Sequence, residues 1–188
     1  MRTDTAFSGH NIIEFRKKHG STPLRLQLRR DYAIRTARGS DLELLWQIER
    51  RCFPTDHFSR ASLARHIGSP RACVIVAERK GAIIGFSLVL FAKGRNYGRL
   101  MSLGVSPKAR GLGAGSSLLH AAELAAARFG AKGIQLETRK HRVKFYVERG
   151  YEPVSQLARY YADGGTAMRL RKGLTRSGDT VVPFRIKG

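Results

Sequence analysis

The residues best suited to chemistry stand in one short run, Arg110-Gly111-Leu112-Gly113-Ala114-Gly115-Ser116, between the strand-like Arg99–Val105 and a long Ala/Leu-rich stretch. Glycines let a backbone come close to an anion, and the N–H groups that open a helix, with the positive end of its dipole, stabilise one. The run is a candidate cradle for a pyrophosphate. A flexible connector has the same composition, so on these residues alone both readings stand. Other nucleotide loops fit less well: the run has no Gly-Lys-Ser/Thr, and no early βαβ unit is present.

Little else in the chain has the spacing of a reactive centre. Cys52 and Cys73 form no C-x-x-C pair, so they build neither a zinc site nor a disulfide framework alone. Cys73 sits in the apolar run Ala72–Ala77 and reads as a small core residue, while Cys52 has no visible activating partner. His57, His66, His120 and His141 show no metal-ligand spacing, so no metal is expected.

Charge is the most unusual bulk property, with 35 Lys and Arg against 14 Asp and Glu in 188 residues. Residues 32–171 alone hold 24 basic and 10 acidic residues, so the excess belongs mainly to the domain and not to its tails. Nucleic acid, ribosomes and acidic proteins are the partners such a field attracts, and a solvated basic surface without a partner is the alternative. No stretch approaches the roughly 20 apolar residues of a membrane span. With no secretory-type apolar segment at the start, a cytoplasmic location and no membrane partner are expected.

The surrounding pattern defines the elements that must position the loop. Residues 1–31 read as a basic N-terminal extension with one short ordered piece around Asn11–Lys18, residues 32–174 as the domain, and residues 175–188 as a basic C-terminal tail. Tyr32–Thr36 alternates like a strand, Ser40-Asp41-Leu42-Glu43 supplies a capping box for a first helix, and Ser59 an N-cap for a second. Ala72–Arg79 and Ala82–Phe91 form a hairpin about Lys80-Gly81, and Arg99–Val105 is a third run that ends at Ser106-Pro107. A helix over Gly111–Phe129, a strand over Ile134–Thr138, a short helix over Val143–Arg149 and a final hairpin over Tyr151–Tyr161 and Thr166–Leu170 complete the chain. The order is β-α-α-β-β-β-α-β-α-β-β, a mixed α/β (α+β) sheet flanked by helices.

In that context the motif Val105-x-Pro107-x-x-Arg110-x-x-Gly113-x-Gly115-x-x-Leu118-Leu119 resembles the acyl-CoA signature of the GNAT superfamily of N-acetyltransferases. Glu49-x-x-Cys52-Phe53-Pro54, Leu136-Glu137-x-Arg139, Phe145-Tyr146-x-x-x-Gly150-Tyr151 and Tyr160-Tyr161 are similar to its ribosomal-protein alanine N-acetyltransferase branch. The resemblance spans about Tyr32–Leu174 and neither tail. It implies a mostly antiparallel sheet and acetyl-CoA as acyl-donor co-substrate. Its cofactor residues would be Leu103, Gly104, Val105, Arg110, Gly111, Leu112, Gly113, Ala114, Gly115 and Ser116. The implied acceptor is the α-amino group of a protein or peptide N-terminus, a ribosomal protein among the candidates.

The resemblance also implies Glu137 as general base, directly or through water, and Tyr146 as the acid that protonates the departing thiolate. A backbone N–H at Leu103 or Gly104 would stabilise the oxyanion. Phe53 and Phe58 are candidates for the acceptor wall or for the core. Tyr160 and Tyr161 line the acceptor groove or pair across the last hairpin. Relatives carry about three more residues between the Glu and Tyr positions, including a cofactor-binding Asn; here Arg139-Lys140-His141-Arg142 stands in that stretch, so the helix after it must start later or be shorter. His141 is a weaker candidate base, being surrounded by cations. Two other functions remain compatible: acetylation of a small amine, and a non-catalytic CoA-responsive module on ribosomes or nucleic acid.

Overall fold

The computed structural model describes residues 31–174. Asn11–Lys18 and both tails lie outside them. The elements are β1 (Ala33–Thr36), α1 (Leu42–Cys52), α2 (Arg60–His66), β2 (Ala72–Arg79), β3 (Ala82–Leu90), β4 (Tyr97–Val105), α3 (Ala114–Arg128), β5 (Gly133–Arg139), α4 (Val143–Val147), β6 (Glu152–Leu157) and β7 (Ala167–Gly173). Their order is the expected one. They make a seven-stranded sheet in the order β1-β2-β3-β4-β5-β7-β6. β4–β5 is its parallel pair and the other neighbours are antiparallel.

Both faces of the central strands are covered, and β2 shows how. Cys73, Ile75 and Ala77 point to α3, whose Leu118, Ala121 and Ala125 pack on them. Val74 and Val76 point to the other face, against Leu45 and Ile48 of α1 and Leu63 of α2. Such a strand must be apolar at consecutive positions, which is why Ala72–Ala77 reads as a continuous run. The Ala-rich side of α3 approaches the sheet closely at Gly98, where a Cβ would stand 3.2 Å from that of Ala126.

Several boundaries differ from the pattern reading. The capping box at Ser40–Glu43 does not form; α1 has no side-chain cap, and Asp41 instead accepts from the Arg38 N–H at 2.7 Å and pairs with Arg35 at 2.7 Å. Ser59 does cap α2, its Oγ accepting from Ser62 N–H at 3.1 Å. α3 starts at Ala114 and not Gly111, since Gly111 and Gly113 take φ of +81° and +76°, outside the right-handed helix. After β5 a turn of 3-10 helix over Lys140–Arg142 leads into an α4 of five residues, so the shortened stretch yields a shortened helix.

Two features of β4 create the site. Its pairing with β5 stops at Leu100↔Leu136, although both strands continue. The strands therefore diverge, and β4 from Met101 onward is paired only with β3. Within this stretch Leu88 faces Ser102 and Val89 faces Leu100, so Met101 is the extra residue of a β-bulge. Met101 and Ser102 consequently both turn to the α1 side: Met101 joins the cluster there, and Ser102 donates a hydrogen bond to Glu49 of α1.

Candidate active site

Two cavities meet at this divergence. The first, about 640 Å³, is lined by Leu103, Val105, Arg110, Gly111, Gly113, Ala114, Gly115 and Ser116 from the expected cofactor set, with Phe145 behind them. The four N–H groups that open a helix lack intrahelical partners, and those of α3 head this cavity. Arg110, Arg142 and Arg149 add positive charge. Arg149 is fixed by its hydrogen bonds to Ser116 Oγ, at 3.1 and 2.8 Å, and to the Phe145 carbonyl, and lies 3.8 Å over the Phe145 ring. Ser106 N–H bonds Ile84 of β3 at 2.9 Å, so by strand alternation the main-chain groups of Val105 and Leu103 face away from β3 into the gap.

Two residues of the expected set do not line this cavity. Leu112, between two left-handed glycines, is 39% exposed. Gly104 faces α1, where a Cβ would stand 3.4 Å from Cys52 Sγ.

The second cavity, about 630 Å³, is walled by the α1–α2 connection, including Phe53, Asp56 and Phe58, and by Tyr160 and Tyr161 of the β6–β7 connection. Phe53 and Phe58 are half-buried and also pack on the α1/α2 cluster, so wall and core are one role here. Tyr160 and Tyr161 lie beyond the end of β6, stacked edge-on at 5.1 Å, and do not pair across strands. Glu137 and Tyr146 both line this cavity. Cys52, Leu103, His141, Arg142 and Tyr146 line both, which marks the junction.

The electrostatics at the junction separate an acid from two unlike carboxylates. Burial pushes the Tyr146 hydroxyl up to about 12, so it stays protonated. The Glu137 side chain, 4% exposed, has both carboxylate oxygens engaged. Oε2 takes Arg99 through Nε at 3.1 Å and Nη2 at 3.0 Å, and Oε1 takes Arg169 Nε at 2.8 Å and Gln135 Nε2 at 3.1 Å. Glu49 is 1% exposed and lines the same cavity; it accepts from Ser102 Oγ at 2.7 Å and Phe58 N–H at 3.1 Å. Burial raises its carboxyl above the ordinary carboxylate range, against the pull of those two hydrogen bonds. Cys52 donates to the Val105 carbonyl at 3.4 Å, and burial raises its thiol, the environment of an inert cysteine and not of a nucleophile.

Pattern reading missed Glu49 and Asp56 in the second cavity and Arg142 and Arg149 in the first. Glu49 entered as part of a motif and of the helical pattern Leu42, Leu45, Trp46, Glu49, whose spacing puts it on the buried face of α1 but does not show its partners there. Among the described residues no cluster of His, Cys, Asp and Glu could hold a metal ion, and no helix is long and apolar enough to cross a membrane.

Comparison with known proteins places this fold among the acetyltransferases. The acetyltransferase (GNAT) family model matches residues 42–151. An uncharacterized N-acetyltransferase of Methanocaldococcus jannaschii is 33% identical over 147 residues, 74% of this chain and 90% of that protein. An N-alpha-acetyltransferase of Sulfurisphaera tokodaii is 28% identical over 152 residues, 73% of this chain and 90% of that protein. The ribosomal-protein-S18-alanine N-acetyltransferase from Escherichia coli shares the fold, with a TM-score of 0.69 at 19% identity over 80% of this chain and 99% of that one. The chain belongs to the GNAT acetyltransferase family. It is an N-acetyltransferase with acetyl-CoA as acyl donor. The donor fits the first cavity, whose backbone donors and arginines match its phosphates and whose open strand edge matches its amide-bearing arm.

Proposed function

We propose that the protein acetylates the α-amino group of a protein or peptide N-terminus, by direct attack while donor and acceptor are bound together. The observation that carries this reading is the junction: a second cavity of about 630 Å³ meets the donor cavity at Leu103 and Tyr146. The Sulfurisphaera tokodaii relative, an N-alpha-acetyltransferase, supports it. A ribosomal protein as acceptor and a cytoplasmic setting belong to the same reading, as does contact with ribosomes or nucleic acid through the basic surface.

Acetyl-CoA, when bound, supplies a thioester carbonyl to the junction. In this proposal Glu137 takes the proton of the acceptor ammonium, directly or through a water. Its Oε2 must first be relieved of Arg99, the more exposed of its two arginine partners. Leu103 N–H, turned into the gap, donates to the oxygen on which charge develops. Tyr146, kept protonated by burial, would supply the proton that the thiolate sulfur takes up as the acceptor nitrogen replaces it on the acetyl carbon. The test is acetylation of peptides that differ only in whether the N-terminus is free or blocked. Transfer confined to free N-termini is expected; transfer to small amines with none to peptides would replace this acceptor class.

A further inference from the structure

The two walls of the acceptor cavity come from distant parts of the chain, and one carboxylate joins them. Asp56, in the α1–α2 connection, accepts from the N–H of Ala162, 106 positions away in the β6–β7 connection, at 2.9 Å through Oδ1. Its Oδ2 accepts from Arg139 Nη2 at 3.1 Å and from Thr55 Oγ1 at 2.8 Å. Arg139 continues the link to Asp163 at 2.9 Å and lies 4.0 Å over the ring of Tyr161. Asp163 in turn accepts from Gly165 N–H at 2.9 Å, and Tyr160 is held from beneath by Arg99 Nη2 at 3.0 Å. The Ala162 N–H and then the Thr55 hydroxyl hold the Asp56 carboxyl below its ordinary range, so the link persists through neutral pH.

Exposed ion pairs add little to global stability, so the consequence of this one is positional. Asp56, Arg139 and both tyrosines line the acceptor cavity, and none of them lines the donor cavity. Phe53 and Phe58 on one wall and Tyr160 and Tyr161 on the other line the same cavity as Tyr146.

We propose that Asp56 determines acceptor specificity: by tying the walls together it fixes the cavity's width, and so the bulk of the first side chain that can enter with the amine. This rests on the N-terminal acetylation reading. The clasp selects by exclusion, admitting an N-terminal Ala and resisting an N-terminal Phe, because a bulky ring must part walls that Asp56 holds closed.

The experiment compares wild type, Asp56→Ala and Asp56→Asn on two peptides identical except for an N-terminal Ala or Phe, with melting temperature and the KM for acetyl-CoA measured alongside. For Asp56→Ala the Ala-over-Phe ratio of kcat/KM is expected to fall about tenfold, the scale on which shape-based pockets discriminate, with the acetyl-CoA KM unchanged. Asp56→Asn should fall between, since its amide oxygen can still accept from Ala162 N–H. A purely structural role would lower the melting temperature and slow both peptides equally; an unchanged ratio overturns the proposal. If wild type acetylates neither these nor any other free N-terminus in a peptide library, the N-terminal reading has failed on its own, and the same ratio is then read with ethylamine and phenethylamine. A ratio that Asp56→Ala leaves unchanged there overturns the clasp as well.

Discussion

The donor and acceptor cavities are similar in size and meet at the same residues, yet they are built in opposite ways. The donor side is made largely of residues close together in sequence, Leu103 and Val105, Arg110 and Gly111, and Gly113–Ser116, with arginines around it. The acceptor side is made of side chains brought from α1, β4, β5 and two loops, held by contacts such as Glu49–Ser102, 53 positions apart, and Asp56–Ala162, 106 apart. A ligand shared by many enzymes can be held by backbone geometry, whereas the partner that differs between them is held by a scaffold of long-range side-chain contacts. The two sides should therefore respond differently to substitution.

The largest effect is expected at the junction, where the two sides cannot be separated. Tyr146→Phe should lower kcat about a hundredfold, the usual contribution of a positioned acid, with little change in acetyl-CoA binding by calorimetry. Wild-type kcat should show no descending alkaline limb below pH ~10, since burial holds Tyr146 at about 12. A fall between pH 8 and 9, absent in Tyr146→Phe, would mean that the tyrosine titrates far lower.

Next in size is the donor side alone. Gly113→Val forces a β-branched residue to a φ of +76° and should weaken acetyl-CoA binding tenfold or more in calorimetry. Unchanged affinity would show that the loop does not act through its backbone and would remove the contrast between the cavities.

The smallest effect belongs to the acceptor scaffold and appears in stability. Glu49 has a raised pKa in the folded protein, so its contribution is fully present below the ordinary glutamate value of 4.5 and is lost as pH rises toward and through the raised one. Glu49→Gln cannot ionise and keeps hydrogen-bonding capacity toward Phe58 and Ser102. Its melting temperature relative to wild type should therefore climb by a few degrees as pH rises from 4 to 8. A pH-independent difference would mean that the carboxylate is not desolvated as described.

The same contrast explains what the sequence could and could not convey. The loop's place was legible because a strand end, glycines and a helix start stand in immediate succession over Val105–Gly115. The order of elements along the chain was legible through features such as the Lys80-Gly81 turn and the continuous apolar run of β2. The start of α3 was misplaced by three residues because composition does not show that Gly111 and Gly113 are left-handed. The cap at Ser40 was misread because Asp41 is drawn away by Arg35, a tertiary pairing. Glu137 was a candidate through the family motif, but its clamp by Arg99 and Arg169 depends on β4, β5 and β7 lying side by side. Asp56 looked like an ordinary turn residue, since its partners lie 83 and 106 positions away.

The most direct test of the central claim is mass spectrometry of a peptide library with varied N-terminal residues, incubated with the protein and acetyl-CoA. The account predicts one added acetyl group on a restricted set of free N-termini and none on blocked ones. Tight acetyl-CoA binding with no modified peptide, or modification of small amines alone, would contradict it.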